Sequence, residues 1–370
     1  MMDVLGTLKR KWNEMVAHID GPLFLIALAI MAVGLVTVFS ATYDGNNRAP
    51  SQGLNMGIAL GIMWLVSRLP PQKLMRFAVP LYVLGILLLI GVFLFGVKVN
   101  GAKRWLPLGF TRIQPSEIMK IAMPLMLAWY FHKFEATLQL RHYFVAGLLL
   151  IVPFALIAKQ PDLGTAILVG AAGFYVIFLA GLPWKIIVGL GVAGAAAAPL
   201  VWSVMHDYQR KRILTLIDPT TDPLGAGYHI IQATIAIGSG GPVGKGYLNG
   251  TQTHLEFIPE KHTDFIFAVF SEEWGLIGNG LLLFLYILLI GRGLIIASAA
   301  PTLFTRLLAG AITLIFFTYA FVNMGMVSGI LPVVGVPLPF VSYGGTALVT
   351  LFLGIGILMS IHTHRMLVKK

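Results

Sequence analysis

The chain alternates between long hydrophobic runs and short polar segments along most of its length. Runs long enough to cross about 30 Å of hydrocarbon lie at approximately 22–40, 54–67, 77–95, 113–131, 143–158, 163–181, 185–205, 265–290, 305–327 and 340–361. This pattern predicts an all-α polytopic membrane protein with about ten transmembrane helices. No second soluble domain fits between the runs, so residues 1–370 are interpreted as a single integral membrane domain.

Two segments break this pattern. Residues 206–263 are too polar and too often interrupted by glycine and proline to span, and their "YHIIQATIAI" stretch predicts a short amphipathic helix. Residues 323–345, "NMGMVSGILPVVGVPLPFVSYGG", combine many glycines and prolines with apolar residues. Such backbone is tolerated at membrane depth only where it lines a cavity or is buried in protein. We therefore expect a cavity beside this segment.

Composition supports a bilayer-embedded chain. Hydrophobic residues make up 57% of it and charged residues 11%, with a mean hydropathy of +0.85, which lies outside the range of soluble globular proteins. The absence of cysteine excludes disulfides, thiolate metal sites and cysteine nucleophiles. The net charge of +11 suits membrane orientation and lipid head groups, whereas no nucleic-acid-binding module is readable. Carboxylate, histidine and hydroxyl groups remain as candidates for any chemistry.

The distribution of positive charge orients the predicted spans. An even number of spans places both termini on one side. Fourteen Lys and Arg residues lie in the loops on that side, whereas six lie in the short loops on the opposite side. Because cytoplasmic loops carry the excess of Lys and Arg, both termini are expected in the cytoplasm and the 206–263 loop is expected outside.

Two Gln-Pro motifs, "QPSE" at 114–117 and "QPDLGT" at 160–165, each open a span at its outer end. Proline followed by a carboxylate is typical of a helix start, where free amide groups favour an anion. Helix capping is therefore one interpretation of Ser116 and Asp162. Glu117 and Lys120 lie three residues apart inside an apolar run, where charges are rare, paired and often functional. A buried structural ion pair is the alternative there.

Basic residues concentrate at two places on the expected outer side. Lys103, Arg104 and Arg112 surround Trp105. This pattern suits a phosphate-bearing amphiphile or a sugar face, but it also suits an interfacial tryptophan with solvated cations. The stretch "DYQRKRI" adds three more cations, including Arg212. Their concentration where positive charge is otherwise scarce indicates an anionic ligand.

Asp264 stands where the long polar segment meets the run at 265–290. Thr263 offers a helix cap beside it, so capping is the simplest role for this position. Glu272 and Glu273 follow inside the apolar run, where they need partners or water. A carboxylate at a low-dielectric cavity mouth can have a raised pKa, which suits a general base, and its oxygens also suit a divalent cation.

Five stretches of the chain resemble the SEDS proteins, the family named for shape, elongation, division and sporulation. They read "RWLPLGFTRIQPSEIMK", "QPDLGT", "DPLGAGYHIIQATIAIGSGG", "GKGYLNGTQTHLEFIPEKHTDFIFAVFSEEWG" and "NMGMVSGILPVVGVPLPFVSYGG". The similarity runs essentially end to end, and it is closer to the elongation member of the family than to the division member. It implies a ten-helix glycosyltransferase of the bacterial inner membrane that polymerises lipid II into peptidoglycan strands during cell elongation.

The resemblance also implies roles for residues and partners. Asp264 matches the essential carboxylate of the family, and five further residues match positions linked to function or to the cavity lining: Trp105, Glu117, Lys120, Asp162 and Arg212. The implied partners are lipid II, a class B penicillin-binding protein that crosslinks the strands, and other membrane proteins of the elongation machinery. A divalent cation, Mg²⁺ or Mn²⁺, at Asp264 stays open. No nucleotide is expected, because the glycine-rich stretch at 238–246 lacks the spacing of a nucleotide fingerprint.

Residues and resemblance combine in one mechanistic hypothesis. Asp264 deprotonates the acceptor sugar 4-hydroxyl, directly or with a bound cation, for attack on the anomeric carbon of a second lipid-linked disaccharide. Undecaprenyl pyrophosphate leaves on the periplasmic side. Cations at the cavity rim would neutralise its developing charge, and the candidates are Lys103, Arg104, Lys120 and Arg212.

Two other functions remain open at the level of sequence. A lipid II flippase or transporter would use the charges inside the apolar runs as a translocation path. A non-enzymatic scaffold would only recruit the crosslinking enzyme. Most of the charges lie at the expected outer face rather than at both mouths or the midplane, which favours chemistry over transport, and a scaffold leaves the Asp264 region unexplained.

Overall fold

The computed structural model describes residues 17–43, 48–99, 102–107, 112–205, 207–221, 225–255, 257–258 and 260–365. In chain order its helices are α1 (Gly21–Ala41), α2 (Ala49–Ser67), α3 (Pro71–Phe95), α4 (Pro115–Lys133), α5 (Leu140–Ala158), α6 (Leu163–Leu179), α7 (Trp184–Val204), α8 (Asp207–Ile217), α9 (Ala226–Ser239), α10 (Thr251–His254), α11 (Ile266–Ser298), α12 (Leu303–Val327) and α13 (Gly345–Thr363). Helices α1 to α7 and α11 to α13 coincide with the ten hydrophobic runs, which confirms the predicted helical architecture. Helices α8 to α10 lie in the long loop, and α9 contains the predicted amphipathic stretch.

Six helices are long and apolar enough to cross a membrane by their length and composition: α1, α3, α5, α11, α12 and α13. Short connections make successive helices run in alternating directions. The bundle therefore has two ends. We call the end that carries the 206–263 segment and the connection between α12 and α13 the loop face. The end where α1 begins and α13 finishes is the terminal face.

A small antiparallel sheet lies on the loop face and departs from the purely helical prediction. Strand β1 (Val97–Val99) pairs with β2 (Ala102–Pro107), which pairs with β3 (Arg112–Ile113). Its sequence signal is the Asn100-Gly101 dipeptide, which favours a two-residue hairpin turn and itself falls outside the described residues. Strands this short, lying between spans, leave no signal in the pattern of hydrophobic runs.

The core of the bundle centres on α4 and α12, which bury side chains on most of their faces. Helix α6 packs against both of them, and α13 packs along α2. Helices α3, α5 and α11 leave many large apolar side chains exposed on the outside of the bundle. This distribution is expected where the surroundings are as apolar as the side chains themselves.

The terminal face is closed by a charged cluster around Asp20. This carboxylate caps α1 by accepting the Leu23 N–H at 3.0 Å. Arg292 of α11 donates to it from Nε at 3.0 Å and from Nη2 at 2.5 Å, and His362 of α13 lies 3.3 Å away. The start of α1 is thus fixed to the ends of two other helices.

Helix α11 is interrupted at Gly275, whose φ of 63° and ψ of −161° are not helical. The glycine-rich segment 241–246 fills the gap with four backbone hydrogen bonds. The bonds join Leu276 N–H to Gly241 O at 2.9 Å, Ile277 N–H to Pro242 O at 3.0 Å, Lys245 N–H to Glu272 O at 3.0 Å and Gly246 N–H to Glu273 O at 3.0 Å. The stretch that superficially suggests a phosphate loop therefore satisfies the free backbone groups of a broken helix.

Glu272 holds the same segment with its side chain. The fully buried carboxylate accepts hydrogen bonds from Lys245 Nζ at 2.7 Å, Thr251 Oγ1 at 3.1 Å, Gln252 N–H at 3.0 Å, Thr253 N–H at 3.3 Å and Thr253 Oγ1 at 3.2 Å. The neighbouring Glu273 accepts a short hydrogen bond from Ser40 of α1. Both carboxylates in the apolar run thus have protein partners.

Candidate functional site

A polar cavity of about 810 Å³ opens on the loop face. Its walls come from α2, β2, α4 and α6, from residues 260–264, and from the segment between α12 and α13 together with the start of α13. The cavity expected beside residues 323–345 is therefore present. It brings together Arg104, Trp105, Glu117, Lys120, Asp162 and Asp264, six of the residues that the sequence singled out.

Asp264 lies in a turn immediately before α11, which begins at Ile266 with Phe265 as its N-cap. Capping by Thr263, the simplest interpretation of this position, does not occur. The Thr263 hydroxyl instead donates to Glu260 Oε2 at 2.9 Å. Asp264 is consequently free of a capping role, and its carboxylate faces the cavity.

Three consecutive backbone carbonyls fix the position of this turn. Each accepts a hydrogen bond from α12 or from the segment that follows it. The pairs are Tyr343 N–H to His262 O at 2.9 Å, Ser342 Oγ to Thr263 O at 2.7 Å, and Asn323 Nδ2 to Asp264 O at 2.8 Å. Asn323 also donates to Val336 O at 2.7 Å, so one buried amide ties Asp264 to the cavity wall.

The electrostatic surroundings of Asp264 favour its protonated form. Burial and the nearby Glu260 carboxylate raise the pKa of Asp264 to about 6, although Arg104 acts in the opposite direction. Its usual value is 3.8. A carboxyl group with a pKa near the working pH is well suited to accept a proton from a substrate hydroxyl.

Glu117 and Lys120 form the ion pair that their spacing predicts. Lys120 Nζ lies 2.6 Å from Glu117 Oε1 and donates a further short hydrogen bond to the Tyr319 hydroxyl. Thr350 of α13 donates to Glu117 Oε2 at 3.3 Å. Since Lys120 is buried and both residues line the cavity, this pair is structural and also accessible to a ligand.

Asp162 is the N-cap of α6, where it accepts the Thr165 N–H at 3.3 Å. Capping is thus realised for Asp162. It also accepts Gln114 Nε2 at 2.9 Å and lies 3.7 Å from Arg104 Nη1. Ser116, by contrast, does not cap α4, whose N-cap is Gln114.

The structure does not place two of the predicted cationic side chains in the cavity. Lys103 donates from Nζ to Phe93 O at 2.7 Å, at the end of α3, and it does not line the cavity. Arg212 belongs to α8, but its side chain falls outside the described residues. Arg48 and Asn323 also belong to the site, but no local spacing in the sequence indicates them, since their partners lie far along the chain.

An apolar groove of about 850 Å³ adjoins the polar cavity. It lies between α2, α3, α4 and α13 and is lined mainly by Ile, Leu, Val and Phe side chains. Asn55, Gln114, Glu117, Gly345 and Thr346 line both spaces, so the groove opens into the cavity. The combined shape suits an amphiphile with a long apolar chain and a polar head.

Sequence similarity agrees with this geometry. The chain matches a family model described as cell cycle protein, covering FtsW, RodA and SpoVE, over residues 21–367. It is 51% identical to the peptidoglycan glycosyltransferase MrdB of Escherichia coli strain K12, over 98% of each chain. It is 35% identical to a probable peptidoglycan glycosyltransferase FtsW of Thiomicrospira cyclica, over 97% of this chain and 95% of that one.

Two solved structures share the fold. One is a chain from work on the structural coordination of polymerization and crosslinking by a peptidoglycan synthase complex, with a TM-score of 0.80 at 35% identity, over 94% of this chain and 98% of that one. The other is the rod shape determining protein RodA of Thermus thermophilus, with a TM-score of 0.70 at 30% identity, over 94% and 97% of the two chains.

Proposed function

The chain belongs to the FtsW, RodA and SpoVE family of cell cycle proteins, and on this premise we propose how its cavity polymerises glycan strands. It is a multi-pass membrane protein and a peptidoglycan glycosyltransferase. We take its substrate to be lipid II, a disaccharide-peptide linked through pyrophosphate to an undecaprenyl chain. The observation that carries the proposal is Asp264, a carboxylate with a raised pKa that lines a polar cavity, and this cavity is continuous with an apolar groove.

Asp264 is proposed to act as the general base. Its carboxylate takes the proton of the acceptor 4-hydroxyl while that oxygen attacks the anomeric carbon of the second lipid-linked sugar. The new glycosidic bond forms as the bond to pyrophosphate breaks, and undecaprenyl pyrophosphate carries away the electron pair. One displacement inverts the α-linked centre and produces a β-linked strand. The cleaved pyrophosphate linkage supplies the driving force, so no nucleotide is required.

Cations in the cavity would neutralise the pyrophosphate as it leaves. Arg104 and Lys120 line the same space as Asp264, and fixed positive groups are effective where negative charge develops. Trp105 offers an apolar face to a sugar ring beside them. Arg212 is kept as a proposed contributor on sequence grounds alone, and Lys103 is excluded from this set because its amine is bonded outside the cavity.

The apolar groove is proposed to hold the polyprenyl chain of a substrate. The five residues shared by groove and cavity would then lie near the point where the chain joins its pyrophosphate. Glu272 and Glu273, whose place in the apolar run first made transport a rival function, are held by Lys245 and Ser40 instead of lining a path. The geometry accordingly supports chemistry at one face.

A divalent cation is a further part of the proposal. Glu260 and Asp264 both line the cavity, and two carboxylates with substrate phosphate oxygens form a ligand set that Mg²⁺ or Mn²⁺ accepts. Across the described part of the chain, no group of three or more His, Cys, Asp or Glu residues could hold a metal ion by itself. A bound cation would supply extra charge neutralisation at the pyrophosphate.

The orientation and partner follow from the charge distribution and the similarity. We propose that the terminal face lies in the cytoplasm and the loop face in the periplasm, because the excess of Lys and Arg belongs to the terminal side. A class B penicillin-binding protein is proposed as the crosslinking partner, supported by the similarity to a chain of a peptidoglycan synthase complex. Other elongation proteins would assemble around this pair.

The test is glycan-strand formation from lipid II in detergent, with the partner transpeptidase present. Asp264→Asn should lower the rate by roughly a hundredfold or more, the usual contribution of a general base. Asp207→Asn is the matched control, since Asp207 is exposed on α8 and undergoes the same charge change. Wild-type rates from Asp264→Asn would refute the assignment. EDTA inhibition that Mg²⁺ reverses would support the cation, whereas full activity in EDTA would remove it.

A further inference from the structure

Ion pairing within the cavity leaves one cation without a carboxylate. The cavity is lined by the cations Arg48, Arg104 and Lys120 and by the carboxylates Glu117, Asp162, Glu260 and Asp264. Lys120 is matched by its ion pair with Glu117 at 2.6 Å, and Arg104 by Asp162 at 3.7 Å. Among the residues that the structure describes, no carboxylate lies within ion-pair distance of Arg48.

Arg48 is held in place without a carboxylate partner. It is the N-cap residue of α2, its Nη1 lies 2.5 Å from His262 Nε2, and its guanidinium lies 5.3 Å from the centre of the Tyr343 ring. None of these described contacts supplies a carboxylate, so the positive charge at this wall has no acidic counter-ion among them.

The contacts of Arg48 also leave binding capacity. A guanidinium carries five N–H donors in a planar fork that matches phosphate oxygens, and His262 takes one of them. Ser51 Oγ and Tyr343 Oη lie 3.2 Å apart beside it, and both line the cavity. A held guanidinium with two neighbouring hydroxyl groups is a suitable receptor for a phosphate anion.

We propose that Arg48, with the hydroxyl groups of Ser51 and Tyr343, binds the diphosphate of one of the two lipid-linked substrates, at a subsite separate from Arg104 and Lys120. This inference rests on the proposed function, because strand elongation brings two lipid-linked diphosphates into one cavity. Arg48 lies on the wall made by α2 and the segment before α13, whereas Arg104 and Lys120 belong to β2 and α4. Each diphosphate thereby has its own cation.

The position of Arg48 relative to the apolar groove supports this arrangement. Asn55 lies seven residues further along α2, about two helical turns from Arg48, and lines both groove and cavity. A prenyl chain in the groove would thus lead its diphosphate along the same helix towards the guanidinium.

The decisive measurement is binding of geranyl diphosphate, which needs no turnover. The full-length protein in detergent is titrated with geranyl diphosphate and with geraniol by microscale thermophoresis. Arg48→Gln should weaken the diphosphate affinity by about tenfold to a hundredfold, since a charged hydrogen-bonded contact is lost, and should leave geraniol binding unchanged. Lys103→Gln is the matched control, because it removes one positive charge from the same face outside the cavity, and its affinity should equal that of the wild type.

Arg48→Lys keeps the charge but loses the planar fork, and an intermediate affinity is expected. This variant decides the matter if Arg48→Gln fails to fold, and wild-type affinity in Arg48→Lys would then overturn the proposal. Equal affinity in wild type and Arg48→Gln would also overturn it. The proposal would also be overturned if phosphatidylglycerol micelles competed as strongly as geranyl diphosphate does, and if that competition depended equally on Arg48. Arg48 would then anchor a membrane phospholipid.

The kinetics of strand synthesis provide an independent test. In strand synthesis Arg48→Gln should raise the apparent KM for lipid II more than it lowers kcat, whereas an unchanged KM with a reduced kcat would contradict a binding role. If Asp264→Asn forms product at the wild-type rate, the assignment of Asp264 as general base is refuted, while the measured diphosphate affinities are unaffected. The two proposals can therefore fail separately.

Discussion

Replacing Asp264 by asparagine should make the folded protein more stable while removing its activity. The pKa of Asp264 is raised from 3.8 to about 6 in the folded state. A carboxyl group with a raised folded-state pKa costs stability whenever it ionises. That cost is absent below the pKa of the unfolded chain, grows as the pH rises from that value to the folded-state pKa, and is complete above about pH 6. Asparagine carries no charge and avoids the cost.

The magnitude follows from the size of the shift. A shift of about two units corresponds to at most about 3 kcal/mol at pH 7 and above. At pH 5 the folded-state carboxyl is already largely protonated, so the cost falls to about half of that value. Asp264→Asn should accordingly raise the apparent Tm by several degrees at pH 7.5, and by less at pH 5.

The assay is thermal unfolding of the purified protein in detergent at both pH values. Asp207→Asn serves as the control, since its exposed carboxylate should shift the Tm little at either pH. A Tm for Asp264→Asn equal to or below that of the wild type at pH 7.5 would refute the reasoning. A stabilisation of the same size at both pH values would show that packing, rather than ionisation, is responsible.

Three further outcomes are expected. Glu117→Gln leaves the buried Lys120 without its carboxylate and should cost about 3 to 5 kcal/mol, seen as a lower Tm that Lys120→Met in the same chain largely restores. Gly244→Ala places a methyl group against the Glu273 carbonyl at a φ of +82°. It should expose the long loop to limited proteolysis, whereas Gly238→Ala, with open space around it, should not. The wild-type rate of strand formation should rise with pH and level off above about pH 6, because Asp264 works deprotonated; a flat profile between pH 5 and pH 8 would contradict the raised pKa.

The features that local sequence predicts are those set by neighbours along the chain. The spans follow from uninterrupted apolar runs, the Glu117 and Lys120 pair from a spacing of three residues, and the role of Asp162 from its place after proline. Each of these depends on one helix or one helix end, which is why a single chain segment contains enough information.

Other features depend on contacts between distant segments. Arg48 meets His262 across 214 residues, and Asn323 holds Asp264 across 59. Thr263 does not cap α11 for the same reason, since hydrogen bonds from α12 and the segment after it keep the turn before α11 out of the helix. No periodicity within one segment reports such contacts, and they become visible only when the bundle is assembled.

The joint between segment 241–246 and the break in α11 also limits how this protein can evolve. A methyl group at Gly240 would overlap the Ser271 carbonyl, and one at Gly275 would overlap the Gly244 amide. A contact made of side chains can be altered by one substitution at a time, whereas each of these glycines lies against backbone atoms of the other segment. Lineages are therefore expected to inherit its glycines together and to diversify in the outward side chains and length of the surrounding loop.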